Sequence, residues 1–419
     1  MVLSVDYRTE SGDIMENLNE NSVTEKENGK AAYVVAFACM IAFMGIGLVD
    51  PILNSIAKSL QATPAQTTLL FTSYMMVTGI VMLFTGFVSS RIGTKKTLML
   101  GLVIIILFAL FAGLSNTIDA LIYFRAGWGL GNALFISTAL SAIVSVLVGQ
   151  TEKSIMLYEA AMGLGMSIGP LVGGSLGSIS WRLPFAGVSV LMFISFLSIF
   201  IMFKEPKGKT EKVAFFAGAK ALKNHKLRSV GLIALLYNFG FFTLLAYAPF
   251  LMPNFSEMQI GLTFFGWGIL LAISSIFLAT RFERAIGTFY TLMIGFVGFV
   301  ICLVLMGINA DQPTLVAAAL IVAGFFQGII NTLMTTIAME IPGIKRNIAS
   351  STYSFVRFFG GSLAPFVAGL IGAKFGGNYT FYFASAMVFI GIILVIVHSQ
   401  YFDTKEEIEA EKVEEMEQI

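Results

Sequence analysis

Two histidines, two cysteines and a charged fraction of only 12% leave a chain of 419 residues with little material for catalysis or metal binding. His225 and His398 supply no HExxH zinc pair, no histidine relay and no Ser/His/Asp arrangement. Cys39 and Cys302 sit in apolar runs without ligand spacing, so they read as small packing residues and no metal site is expected. The absence of a GxxxxGK[ST] loop removes a built-in nucleotide-driven motor, and no resident cofactor is expected. The first 30 residues are polar and acidic, without the short apolar core of a signal peptide. With a net charge of +1, nothing suggests a nucleic-acid partner.

What the chain has in excess is apolar surface. Hydrophobic residues make up 57% and mean hydropathy is +0.84, far above a soluble globular protein. Twelve uncharged or nearly uncharged runs reach the roughly 20 residues a helix needs to cross a bilayer. They fall near 31–55, 67–89, 97–115, 119–148, 154–177, 182–203, 231–252, 261–280, 288–308, 312–338, 349–374 and 378–399. The expected fold is therefore an all-α, multi-pass integral membrane protein of twelve transmembrane helices. Of 26 Lys and Arg, 21 fall on the side of the membrane that holds both termini, against Lys58, Arg182 and Lys374 on the other. By the positive-inside rule that side is cytoplasmic.

One loop divides the series in half. KEPKGKTEKVAFFAGAKALKNHKLR, 204–228, carries eight basic residues against two acidic ones. It reads as a solvated linker, or as a segment lying amphipathically on anionic lipid. The expected organisation is a cytoplasmic tail over 1–30, a six-helix bundle over 31–203, the linker over 204–230, a second six-helix bundle over 231–399 and an acidic tail over 400–419. The halves look like repeats. A shift of 195 positions carries YEAAMGLGMSIGPLVGGSLG, 158–177, onto YSFVRFFGGSLAPFVAGLIG, 353–372, matching Tyr158 with Tyr353 and Pro170 with Pro365. The small-residue ladder Gly165, Gly169, Gly173, Gly177 repeats as Gly360, Ala364, Ala368, Gly372, four apart on one helix face. Such ladders let helix backbones approach closely in lipid.

The spacing Gly165, Gly169-Pro170, Gly173-Gly174 in the fifth helix resembles the antiporter motif of the major facilitator superfamily, in particular its twelve-helix drug/proton antiporters. GFVSSRIGTKK, 86–96, resembles the family's signature between helices 2 and 3, with Gly86, Arg91, Gly93 and Lys95 in the gating positions. RAGWG, 125–129, resembles the helix 4 signature, and WRLPF, 181–185, the start of helix 6. Ser90 stands where the loop signature usually has aspartate, and Met156 where the antiporter motif usually has its leading glycine, so the latch of the relatives is weakened or rebuilt. The resemblance implies two bundles related by a pseudo-twofold repeat, with a central cavity lined from helices 1, 2, 4, 5, 7, 8, 10 and 11.

Charges inside the membrane are costly unless paired, hydrated or functional. Asp50 resembles the first-helix acidic residue of many drug antiporters, and with Arg125 it counts about 9 Å inward from the outer helix ends, so the two could meet. Glu159, about 8 Å from the inner end of helix 5, has Ser354 as its repeat counterpart and reads as a proton carrier or cation site. Arg357 reads as an ionic contact near the inner gate. Each has a plainer alternative: an interfacial carboxylate before Pro51 for Asp50, a carbonyl-neutralised arginine for Arg125, a snorkelling or inner-cavity glutamate with no transport role for Glu159. The cavity candidates are Tyr237, Asn238 and Phe241 on helix 7, Trp267 on helix 8, and Gln327 and Asn331 on helix 10, although most of the chain's aromatics must be packing residues.

These features suggest a secondary transporter, monomeric and in contact with membrane lipid, in a prokaryotic cell membrane. It would exchange external protons for internal amphipathic small molecules, cationic ones among them, by alternating access. Two isolated carboxylates suit protons better than sodium. Export or flipping of a sugar, siderophore or lipid-linked glycan stays open, and a membrane-embedded enzyme or receptor is disfavoured. The charge asymmetry makes a direct prediction: in a variant lacking Cys39 and Cys302, a cysteine at position 58 labels from outside intact cells, whereas one at position 212 labels only after permeabilisation.

Overall fold

The computed structural model describes residues 29–402 apart from 63, 148, 205–213, 256 and 345. The two terminal tails and the most charged part of the linker lie outside the described residues. All regular structure among the described residues is helical, and twelve helices are long and apolar enough to cross a membrane. They are α1 (Gly29–Gly47), α2 (Pro64–Ile92), α3 (Thr94–Leu114), α4 (Ile118–Val146), α5 (Thr151–Gly177), α6 (Leu183–Met202), α7 (His225–Tyr247), α8 (Met258–Ile286), α9 (Thr288–Ile308), α10 (Pro313–Met339), α11 (Arg346–Phe375) and α12 (Gly377–Val397). Most are apolar around the whole circumference, as helices with both lipid and protein for neighbours must be.

Local chemistry sets the boundaries. Thr117 accepts the Ala120 N–H at 3.3 Å to cap α4, and Asn224 accepts the Leu227 N–H at 3.1 Å to cap α7. The tight α2–α3 and α8–α9 turns rest on Gly93 at φ 92° and Gly287 at φ 87°, a left-handed backbone that other residues adopt only with strain. Two expected spans are corrected. The run drawn as 31–55 breaks at Gly47, because Pro51 has no N–H and disfavours a helical residue before it; Asp50–Ile52 form a 3-10 turn and Leu53–Leu60 a short separate helix. Asp50 thus lies beyond the end of α1 rather than within it. The run drawn as 261–280 continues to Ile286 through a π-helical turn at Ser274–Leu278.

The glycine ladder of α5 is filled by backbone. A Cβ on Gly169 would stand 2.6 Å from the Met44 carbonyl oxygen, and Cβ atoms on Gly165 and Gly173 would collide with the carbonyls of Met40 and Leu48. These three α5 rungs therefore rest on carbonyls four residues apart along α1 and the turn that follows it. Pro170 fits the gap left by Gly47, whose Cβ would meet the proline ring at 3.1 Å. The second half reproduces the joint: a Cβ on Gly360 would lie 2.7 Å from the carbonyl of Leu235 in α7. Both partners of this contact, Gly360 and Leu235, lie 195 positions beyond Gly165 and Met40. The pseudo-twofold repeat thus extends from sequence to tertiary contact.

Across the two bundles, α2 packs on α11 and α5 on α8. These pairings exchange under the same repeat. Glycines again bring backbones together, Gly79 against the Phe359 amide and Gly268 against the Gly163 carbonyl. At the inner end Ser350 donates to the Ser137 carbonyl at 3.0 Å, and Arg284 of α8 meets Glu152 of α5 at 3.0 Å. Ser90 donates to the Phe87 carbonyl of its own helix, and Arg91 lies over the Phe87 ring. The described end of the linker docks rather than floating free: Phe215 stacks on Phe84 at 4.5 Å, and Thr352 of α11 donates to the carbonyl of Gly218, which is packed against α2.

Replacing Gly169 by Leu is expected to force α1 and α5 apart and destabilise the protein by about 1–3 kcal/mol, the usual cost of overpacking. Gly174→Ala is the control, since its Cβ meets only Pro51, at 3.9 Å. Thermal unfolding in detergent should show a lowered midpoint for the first variant and an unchanged one for the second.

Candidate substrate and coupling site

Where the bundles meet, α5 presents Glu159, α10 presents Gln327, Asn331 and Thr335 at successive turns of one face, and α11 presents Tyr353 and Arg357. Glu159 lies about 12 Å along the axis from Thr151, the first residue of α5, and is fully buried. The snorkelling alternative is thereby removed, and so is the idea of an isolated carboxylate. Arg357 Nη1 meets Glu159 Oε1 at 3.1 Å, and Thr335 donates to the same oxygen at 2.7 Å. Arg357 Nη2 donates to Asn331 Oδ1 at 3.2 Å and touches Met162 Sδ at 3.4 Å. Its guanidinium also lies 5.6 Å from the Tyr353 ring. Taking two charges out of water is costly, and the paired geometry with added hydrogen bonds is what makes the cost bearable.

Met162 and Arg357 are repeat counterparts 195 positions apart, yet they touch. Two equivalent residues can meet only near the axis that relates them, so this cluster sits on the pseudo-twofold axis. The symmetry is broken there, with Glu159 opposite Ser354 and Arg357 opposite Met162, and the departure creates the ion pair.

An aromatic wall adjoins the pair. Tyr237 and Phe241 of α7 lie 6.0 Å apart, Phe241 and Trp267 5.6 Å apart, and Trp267 Nε1 donates to Gln327 Oε1 at 2.5 Å. The Tyr237 hydroxyl donates to the Gln327 carbonyl at 3.3 Å. Five of the six cavity candidates thus gather at the axis. The sixth, Asn238, is buried with its amide donating to Ala234 of its own helix at 2.8 Å. One to two turns outward lies a small cavity of about 20 Å³ lined by Ile46, Gly47, Phe71, Met166, Pro170, Leu245, Ala246 and Phe264 of both bundles.

Arg125 belongs to a different place. It is buried within the first bundle, where Nη1 donates to the Gly45 carbonyl at 3.2 Å and the guanidinium lies 4.3 and 4.8 Å from the Tyr74 and Trp128 rings. The side chain of Asp50 lies outside the described residues, and with it the expected meeting with Arg125. Of the gating positions, Gly93 makes the α2–α3 turn and Lys95 donates to the Phe200 carbonyl at 2.8 Å. Arg357, Thr335 and Tyr353 were absent from the expected site. The signal for them was the four-residue spacing of Gln327, Asn331 and Thr335, and the alignment of Arg357 with Met162.

Two repeat-related bundles around a buried ionic and aromatic centre define a secondary transporter. The chain belongs to the Major Facilitator Superfamily, whose family description matches residues 35–279 and 230–416. It is 51% identical over 368 residues to the multidrug efflux protein YfmO of Bacillus subtilis, covering 88% of this chain and 93% of that protein. The quinolone resistance protein NorA of Staphylococcus aureus (strain MRSA252) is 23% identical over 386 residues, covering 89% and 97%. Among solved structures, the human organic anion transporter MFSD10 superposes with a TM-score of 0.73 at 16% identity, covering 88% of this chain and 99% of that one, a likeness of fold. With its twelve apolar helices and bacterial relatives, the chain is a multi-pass protein of the bacterial cell membrane.

The buried pair predicts a non-additive pattern. Arg357→Met alone, which strands the Glu159 carboxylate, should cost about 3–5 kcal/mol, while the double variant Glu159→Gln/Arg357→Met should recover most of it. Unfolding midpoints of the two single variants and the double variant check this.

Proposed function

We propose that this protein is a proton-coupled antiporter that exports amphipathic drugs, and that it is a transporter rather than an enzyme. The observation that carries this reading is a buried carboxylate, Glu159, at the axis between the bundles, paired across the interface with Arg357 and Thr335 and flanked by Tyr237, Phe241 and Trp267. The 51% identity with a multidrug efflux protein supports the export of diverse compounds. The aromatic wall suits them, because ring faces bury apolar surface without demanding one shape and attract cations.

Coupling follows from competition for one carboxylate. A proton arriving through the outer cavity neutralises Glu159 and weakens its hold on Arg357, so the bridge between α5 and α11 opens. Substrate from the cytoplasm approaches the deprotonated form, and the two ligands exclude one another. The energy source is the proton gradient, with no resident cofactor or metal. Asp50, beyond the end of α1, is a second proton site on this reading, and Arg125 holds the outer half of the first bundle in position. Gly165, Gly169 and Gly173, with Pro170, keep α5 tight on α1 and the turn after it while the bundles rock, and Gly174 lies at the edge of that face. The turn around Gly86, Arg91, Gly93 and Lys95 closes the inner end. The protein works as a monomer in contact with membrane lipid.

In proteoliposomes with an imposed pH gradient, wild type should exchange protons for a panel of amphipathic dyes and drugs. Asp50→Asn and Glu159→Gln should each reduce that exchange by about tenfold or more, a loss of about 1.4 kcal/mol or greater. Full pH-driven exchange in both variants would overturn the assignment of these carboxylates.

A further inference from the structure

Three buried polar atoms of the axial cluster have no partner: Glu159 Oε2, Asn331 Nδ2 and Gln327 Nε2. The orientation of both carboxamides is fixed by chemistry. Arg357 and the Trp267 indole can only donate, so the atoms they bind, Asn331 Oδ1 and Gln327 Oε1, must be the oxygens, and the NH2 groups are left over. The cluster therefore offers one empty acceptor and two empty pairs of donors. All three residues are fully buried or within 1% of it. They are also close together. The two terminal nitrogens of one guanidinium hold Glu159 and Asn331, and Gln327 is one turn from Asn331 on the same face, about 6 Å along α10. Buried polar groups in folded proteins nearly always find partners, so a cluster of orphans beside an aromatic wall has the character of a site awaiting a ligand.

The charge balance narrows the ligand. Arg357 already neutralises Glu159, so the site has little net field to offer a bare positive charge. What remains is directional: Glu159 Oε2 can take an N–H, and the carboxamides can give N–H to an oxygen. From this donor and acceptor pattern we infer that the substrates bound most tightly are protonated amines that carry a hydrogen on nitrogen and a carbonyl or carboxylate oxygen a few bonds away, in preference to quaternary ammonium ions of the same size. This deepens the exporter reading and rests on it. The ammonium N–H would bond Glu159 Oε2, the oxygen would accept from Asn331 or Gln327, and the apolar body would lie on Tyr237, Phe241 and Trp267. The other titratable groups facing the carboxylate are Tyr158 of α5, Tyr237 of α7 and Tyr353 and Arg357 of α11.

The test uses three compounds on the full-length wild-type protein in lipid nanodiscs at pH 7.5. They are tetracaine, a tertiary amine ester; its N-methyl quaternary salt; and an analogue in which methylene groups replace the ester. Equilibrium binding should be at least tenfold weaker for the quaternary salt and at least threefold weaker for the ester-free analogue. In Asn331→Leu the gap between tetracaine and the ester-free analogue should shrink while the tertiary-to-quaternary gap persists. If that variant does not fold, the comparison of the three compounds on wild type decides alone. Equal affinity for the tertiary and quaternary compounds, or for the ester and its ester-free analogue, would overturn the inference, as would failure of all three to bind. Transport in proteoliposomes separates the two levels: pH-driven export with no preference among the compounds leaves the exporter reading standing without this one, and the absence of any pH-driven transport removes both.

Discussion

A charge in hydrocarbon must be compensated where it stands. Water cannot reach it, and at low dielectric an uncompensated ion would cost more than a typical domain's whole stability. Glu159 meets this requirement with Arg357, which lies on the opposite bundle. The same bond that satisfies the carboxylate therefore fastens the two halves together. Thr335, Asn331 and Tyr353 are arranged around it because the remaining lone pairs and protons also need partners. The interface between the bundles is thus held where any change in the charge of one group is felt by both sides.

Symmetry explains why this is possible. The ladders of α5 and α11 make the same joint twice, each on the carbonyls of a helix four earlier in the chain, and so produce two similar rigid units. Function enters where the repeat fails. Serine replaces glutamate at one equivalent position and methionine replaces arginine at the other, so the ion pair across the axis has no counterpart under the repeat.

Hydropathy made the twelve helices legible, since length and charge exclusion alone decide what spans a bilayer, and the 195-residue shift made the repeat legible. The break at Gly47 was harder to see. Its cause, Pro51, lies inside a run that stays apolar, so hydropathy averages across it. The pairing of Glu159 with Arg357 joins residues 198 positions apart and depends on which face each helix turns inward. An apolar helix carries almost no periodic signal of that face. Asn238 shows the same limit, since no sequence signal says that its amide bonds its own backbone.

The bundles are bridged by charge at a second point, and the two bridges answer to different variables. Arg284 and Glu152 meet at the inner end with 74% and 47% of their side chains exposed, so salt at cytoplasmic strength, with a screening length of about 8 Å, weakens their attraction. Glu159 and Arg357, with 0% and 7% of their side chains exposed, lie beyond the reach of that screening. The same two halves are therefore tied once by a contact that reads the ionic strength of the cell and once by a contact insulated from it, and osmotic or salt stress acts on the inner closure while leaving the central bond unchanged.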